Sequence, residues 1–179
     1  LMADSVFQEN SVVCTAPSKT FNLAGLQTSN IFIPDRKIRQ EFKKSLLTNG
    51  LFGLNPFGTT ACRVAYEEGE PWLEDLKRYL ESNLQALTNH FETHLPEIKV
   101  IQPQGTYLVW FDCRSLGLDK HQFRKLFLDR ARVFLDEGSL FGPEGDGFQR
   151  INIACPRPLL MEALGRIVAA IKGLPGNIA

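Results

Sequence analysis

The residue with the most distinctive chemical potential is Lys19, in Ala16-Pro17-Ser18-Lys19-Thr20-Phe21-Asn22, just past the β-branched run Ser11-Val12-Val13-Cys14-Thr15. A lysine at the carboxyl end of a buried strand lies where open α/β sheets bind their ligands. Partial burial at such a place disfavours the ammonium form, and a neutral amine condenses with an aldehyde to a Schiff base. Most lysines after a strand are simply solvated, and on these residues alone that is the better account. His90 and His94 stand four apart, the spacing of two metal ligands on one helix face. A metalloprotease helix needs Glu directly after the first His, and Phe91 occupies that place, with no third ligand in view. Two helix-surface histidines are the expectation, and no metal site is expected. Gly142, Gly145 and Gly147 follow the order G-x-x-G-x-G and precede a strand, whereas a dinucleotide fingerprint follows a strand and opens a helix. They predict a flexible hairpin-like loop.

These residues need elements to hold them. Ser11 to Thr15 predicts a buried strand of the parallel-sheet kind, bounded by Pro17. Thr28 to Ile33 predicts a second strand, closed by Pro34. Pro34 and Asp35 open a helix to about Thr48, with Ile38, Phe42, Leu46 and Leu47 on one face and Asn49-Gly50 ending it. A loop from Leu51 to Gly58 and a helix from Thr59 to Glu68 follow, broken at Gly69. The clearest periodicity is Leu73, Leu76, Leu80, Leu84, Leu87 and Phe91, which predicts one helix from about Pro71 to His94. Beyond a boundary near Pro96 come the strands Lys99–Ile101 and Gly105–Phe111, then a helix from His121 to Arg130. Short strands are predicted at Arg132–Leu135 and Phe148–Ala154. A final helix begins near Pro158, with Leu160, Ala163, Leu164, Ile167, Val168 and Ile171 on one stripe and Pro175-Gly176 after it. This second half reads as mostly antiparallel strands with helices on one side.

The chain has 179 residues, 44% of them hydrophobic, which is too many for disorder and enough for a sizeable core. No apolar run approaches the ~20 residues of a membrane span. Twenty Lys plus Arg offset 20 Asp plus Glu, so no net field steers the chain to nucleic acid or an anionic membrane. Neither nucleic acid nor membrane is expected as a partner. Cys14, Cys62, Cys113 and Cys155 form no C-x-x-C, and reduced thiols in a cytoplasmic protein are expected. Asp4 and Glu9 interrupt any apolar leader segment, which points the same way.

The segment Ser18-Lys19-Thr20-Phe21, with Gly25 downstream, resembles the Schiff-base lysine segment of fold-type-I pyridoxal-phosphate enzymes, the aspartate aminotransferase superfamily. The longer stretch from Ala16 to Gln27 is similar to one branch, the cystathionine β-lyase or cysteine-S-conjugate β-lyase group of the MalY/PatB type. Ala65 to Leu73, Pro103 to Asp112 and Arg150-Ile151-Asn152-Ile153-Ala154-Cys155-Pro156-Arg157 agree, in the family's order. The resemblance implies an α/β chain forming the C-terminal half of a fold-type-I pyridoxal-phosphate-dependent transferase. Residues 1–70 would be the end of the large cofactor domain and its sheet, 71–95 the interdomain helix, and 96–179 the small α/β domain.

By the same resemblance Lys19 matches the lysine that binds pyridoxal 5'-phosphate covalently, and Ser18 stands where a hydroxyl could reach the cofactor phosphate. Arg150 matches the arginine that takes the α-carboxylate of an amino-acid substrate, a role suited to a guanidinium fork. Arg157 is the fallback, and a surface arginine at a strand start is the plain alternative for Arg150. Gln27 stands eight residues after Lys19, where many aminotransferases carry a phosphate-binding arginine; the departure favours the lyase branch. The implied activity is β-elimination from cystathionine or cysteine conjugates to a thiol, pyruvate and ammonia, in a homodimer. An aminotransferase would use the same lysine and arginine, and a non-catalytic dimerisation or regulatory module is the reading from another class. In the family the acidic partner of the ring nitrogen, the stacking aromatic and the phosphate loop all precede the lysine by a long way, and 18 residues precede Lys19 here. The chain by itself is therefore expected to be a catalytically inert fragment.

Overall fold

The structure is a computed structural model, and it describes residues 5–174. The chain divides into two compact units that part between Leu76 and Lys77, inside one long helix.

In the first unit a helical turn, α1 (Ser5–Gln8), leads into β1 (Val13–Thr15). The chain returns through a turn and the 3-10 segment Ala24–Leu26 to β2 (Asn30–Phe32), which pairs antiparallel with β1, Val13 opposite Phe32 and Thr15 opposite Asn30. This corrects the expectation of a buried parallel strand. Among the described residues β1 has only β2 beside it, so Cys14 and Thr15 are exposed and the β-branched run does not line a core. Helix α2 (Arg36–Thr48) begins where Asp35 caps it, its carboxylate accepting from the Ile38 amide at 2.7 Å. Arg39 turns back to donate to the carbonyls of Ile33 and Pro34 at 2.6 and 2.8 Å, fixing the entry to the helix. Helix α3 (Pro56–Glu68) starts three residues earlier than expected, because Asn55 caps it and Pro56 takes the first turn. Helix α4 (Glu70–His94) follows after Gly69.

The second unit is a four-stranded antiparallel sheet in the order β3 (Lys99–Ile101), β4 (Leu108–Asp112), β6 (Phe148–Asn152) and β5 (Asp136–Glu137). Val109, Phe111, Gln149 and Ile151 face inward and are buried, whereas Leu108, Trp110, Asp112 and Arg150 alternate with them on the opposite face. Three helical elements cover the inner face. The C-terminal part of α4 supplies Leu87 and Phe91. Helix α5 (Lys120–Arg124), running on into a π-helical segment Lys125–Arg130, supplies Phe123, Leu126 and Phe127; helix α6 (Arg157–Lys172) supplies Leu160, Leu164, Ile167 and Ile171. The antiparallel layer with helices on one side is as expected.

The strand expected at Arg132–Leu135 is absent. Its alternation is real, since Val133 and Leu135 are buried while Arg132 and Phe134 are exposed. The backbone, however, is held by the end of the π segment: Val133 donates to the Phe127 carbonyl at 2.9 Å, and Arg132 adopts a left-handed φ of 54°. Ladder pairing to β6 begins only at Asp136. The glycine loop is a pair of 3-10 turns, and a Cβ on Gly145 would lie 2.1 Å from the Gly138 carbonyl oxygen. It is a close backbone packing point, not a flexible hairpin. Pro175 and Gly176 lie outside the described residues.

Candidate active site

Lys19 sits in the turn that leaves β1. The Phe21 amide donates to the Pro17 carbonyl at 2.8 Å and the Leu23 amide to the Ser18 carbonyl at 3.0 Å, with Asn22 at a φ of 55° completing the reversal. Pro17 is buried and anchors one side of the turn. Phe21 anchors the other: its ring meets Tyr66 edge-on at 6.0 Å and Trp72 at 6.2 Å, and a Cβ on Gly69 would lie 2.7 Å from it. The α3–α4 junction therefore needs glycine for Phe21 to pack there. Ser18 is half-buried and Lys19 is exposed, so the partial burial expected of the amine is not found. The reason is β1 itself, which carries one neighbouring strand among the described residues and leaves its end open. An accessible primary amine beside a hydroxyl is a donor set that fits an aldehyde-bearing phosphate ester: the amine for the carbonyl carbon, the hydroxyl for a phosphate oxygen. Gln27 is exposed and ends the following 3-10 segment at a φ of 51°.

Arg150 lies in the middle of β6, on the sheet face away from the helices. It stands between Trp110 of β4 and Asp136 of β5, its direct partners in the two flanking strands. Its Nε and Nη2 both donate to Asp136 Oδ2, at 3.0 and 2.7 Å. The guanidinium carbon is 4.3 Å from the centre of the Phe141 ring and 5.8 Å from that of Trp110, and those two rings meet edge-to-face at 5.2 Å. Asp136 and Phe141 were not singled out in the sequence; their place beside Arg150 comes from strand register and from the 3-10 turn after β5.

Arg157 is held differently. Its Nε donates to Asn83 Oδ1 and its Nη2 to Ser82 Oγ, both at 2.6 Å, and its amide donates to the Tyr79 hydroxyl at 2.8 Å. These bonds attach the start of α6 to α4. Asn83 is fully buried and donates both amide hydrogens to the carbonyls of Ile153 and Cys155, at 2.8 and 3.1 Å. A signal for it existed: Asn83 falls between Leu80 and Leu87 on the apolar stripe of α4.

The His90 and His94 rings lie 4.6 Å apart. Burial and then the neighbouring His94 charge hold His90 below the ordinary histidine range, against a backbone hydrogen bond to Leu164 that acts the other way. Among the described residues no group of three or more His, Cys, Asp or Glu is placed to hold a metal ion. A cleft of about 240 Å³ opens between α5 and the β5–β6 edge, lined by Asp119, Phe123, Glu137, Ser139 and Gln149 among others. Neither Lys19, Ser18 nor Arg150 lines it, so it is separate from the residues nominated by the sequence.

The sequence model of the class I and II aminotransferases matches residues 4–167. The chain belongs to that family. Its members are pyridoxal-phosphate-dependent. The chain is 44% identical over 165 residues to cystathionine β-lyase PatB of Bacillus subtilis (strain 168), which covers 92% of the chain and 43% of PatB. It is 32% identical over 161 residues to protein MalY of Escherichia coli (strain K12), covering 89% of the chain and 41% of MalY. Among solved structures, cystalysin from Treponema denticola, which contains a pyridoxal 5'-phosphate cofactor, superimposes with a TM-score of 0.89 at 37% identity, over 95% of the chain and 43% of cystalysin. The fold-type-I architecture expected from the lysine segment is thus the architecture of this family member. The chain spans less than half the length of the relatives it matches. No helix among the described residues is long and apolar enough to cross a membrane.

Proposed function

We propose that the protein is a pyridoxal-phosphate-dependent carbon–sulfur β-lyase, acting on cystathionine or another cysteine thioether. The observation that carries this reading is the 44% identity to a cystathionine β-lyase across 92% of the chain, including the Ser18-Lys19-Thr20-Phe21 turn. Lys19 Nζ would hold the cofactor's aldehyde carbon and Ser18 Oγ would donate to its phosphate. When bound, the cofactor supplies an electron sink that lowers the cost of negative charge at the substrate Cα. Lys19 Nζ would serve as the general base for the Cα proton. Arg150 would pair its fork with the substrate α-carboxylate, a positioning contribution. Loss of the β-sulfur as a thiol would leave 2-aminoacrylate, whose imine tautomer is hydrolysed by water to pyruvate and ammonia.

Cytoplasmic location and homodimeric assembly are part of the same proposal. The aminotransferase reading is favoured by the family to which the chain belongs, and the two part only after proton removal. Incubating the full-length, cofactor-loaded protein with L-cystathionine separates them: pyruvate release without a keto acid supports the lyase, whereas turnover only when a keto acid is added supports the aminotransferase. Borohydride reduction followed by peptide mapping should place the cofactor on Lys19; finding it on another lysine would overturn the assignment.

A further inference from the structure

Arg150 has a partner whose geometry goes beyond a strand-to-strand ion pair. A guanidinium presents two two-pronged edges, one made by Nε and Nη2 and one by Nη1 and Nη2. Asp136 occupies the first: Nε and Nη2 converge on the single oxygen Oδ2, at 3.0 and 2.7 Å. The hydrogens of Nη1 and the second hydrogen of Nη2 point away from that contact, and among the described residues those two are the side-chain hydrogen bonds of Arg150. Phe141 lies against the guanidinium at 4.3 Å and Trp110 at 5.8 Å, so the cation has aromatic neighbours as well as a fixed edge. The three groups come from three places in the chain, β4, β5 and the turn after β5, and meet only at Arg150. The side chain of Asp136 is 39% exposed, and ion pairs so exposed contribute little to stability. What such a pair does strongly is choose one orientation for a long, rotamer-rich side chain.

We infer that Asp136 is a positioning residue for Arg150: it holds the Nε edge so that the Nη1–Nη2 edge is presented end-on to the α-carboxylate of an amino-acid substrate. This rests on the reading of Arg150 as the carboxylate-binding residue. Pre-setting the fork lowers the entropy lost when the substrate docks, so the gain falls on binding. The Asp136 charge partly offsets the attraction of Arg150 for a second carboxylate, and its useful property here is therefore its acceptor atom.

The test compares Asp136→Ala, Asp136→Asn and Arg150→Lys in the full-length, cofactor-loaded enzyme with L-cystathionine. Asp136→Ala should raise KM about tenfold with kcat within about threefold, because the interaction lost is made in binding. Asp136→Asn keeps an acceptor for the guanidinium and should restore KM to within about threefold of the parent. Nitrogen-15 spectra of the arginine side chains give a readout apart from turnover: hindered rotation should resolve separate Nη signals for Arg150 in the parent and in Asp136→Asn, and they should merge in Asp136→Ala. If Asp136→Ala leaves KM and the Nη signals unchanged while Arg150→Lys impairs KM, Asp136 is only a structural pair and this inference is wrong. If Arg150→Lys is itself silent, the carboxylate is bound elsewhere and the underlying reading fails instead.

Discussion

Replacing Asn83 by alanine should be among the most damaging single changes in the second unit, and the structure sets the size of the loss. Asn83 is fully buried on α4 and spends its whole side chain on three hydrogen bonds: to the Ile153 carbonyl at 2.8 Å, to the Cys155 carbonyl at 3.1 Å, and from Arg157 Nε at 2.6 Å. A neutral bond contributes about 1 kcal/mol net, and one to a charged group about 1.5–3 kcal/mol. The Arg157 bond is discounted because its guanidinium is part-exposed and water can replace Asn83; the Ile153 carbonyl is buried and stays orphaned. The sum is about 2–4 kcal/mol, which for a chain of this size lowers Tm by about 5–15 °C. Urea titration and calorimetry on Asn83→Ala measure it. Asn83→Leu is the critical comparison. It refills the volume on an apolar stripe but offers no donor, so it should remain at least about 2 kcal/mol below the parent. An Asn83→Leu protein as stable as the parent would show that packing, not these bonds, holds α4 to the segment leaving β6.

Thiol reactivity should follow burial. Cys14 is exposed and should react with a disulfide reagent in the native protein, whereas burial and then the Asp112 charge push the Cys113 thiol far up, and it should react only after unfolding; equal rates at the two would contradict the packing around Cys113. His90 gives a pH prediction with a definite sign. Its folded pKa is lowered from the ordinary 6.5, so the unfolded chain binds the proton more readily, and the His90 contribution costs nothing above that value but weakens the fold as pH falls below it. His90→Gln should therefore lose less stability than the parent between about pH 7.5 and about pH 5.5 in urea titrations, and identical pH dependence in the two proteins would refute the burial of that ring.

Much of the architecture was legible because it is local. The stripe from Leu73 to Phe91 demands a helix, and the structure has one from Glu70 to His94. Asp35 opens one helix and Gly69 closes another where the sequence places those boundaries, whereas Asn55 opens α3 inside a stretch that reads as a loop. What failed depended on partners far along the chain. The β-branched run at Ser11 records that one segment favours extended backbone, not what covers it, and β1 is exposed. The alternation at Arg132–Leu135 records which side chains face the core, and the π-helical end that fixes their backbone has the same pattern as a strand. Lys19 is nominated by its immediate neighbours alone, whereas its surroundings were not legible, since Phe21 packs on Tyr66 and Trp72 from two helices further along the chain.

The placement of Arg150 shows how a proposed site residue can be secured by a core it does not enter. Trp110, Arg150 and Asp136 form one row across β4, β6 and β5, although 40 residues separate the first two. No local motif specifies that row. It is enforced from the other face, where Val109, Phe111 and Ile151 are buried against α4, the α5 segment and α6. A slip of β6 by one residue would turn Ile151 outward and drive Arg150 into the core, giving up apolar burial and placing an unpaired charge in a low-dielectric interior. Both costs act in the same direction, so the register is strongly specified by residues with no chemical role. The orientation of the guanidinium is a second step, set on the open face by Asp136 and Phe141. A substitution at Ile151 and one at Asp136 should thus differ in kind: the first loosens the sheet and lowers Tm, and the second leaves the sheet in place and releases only the fork that it holds.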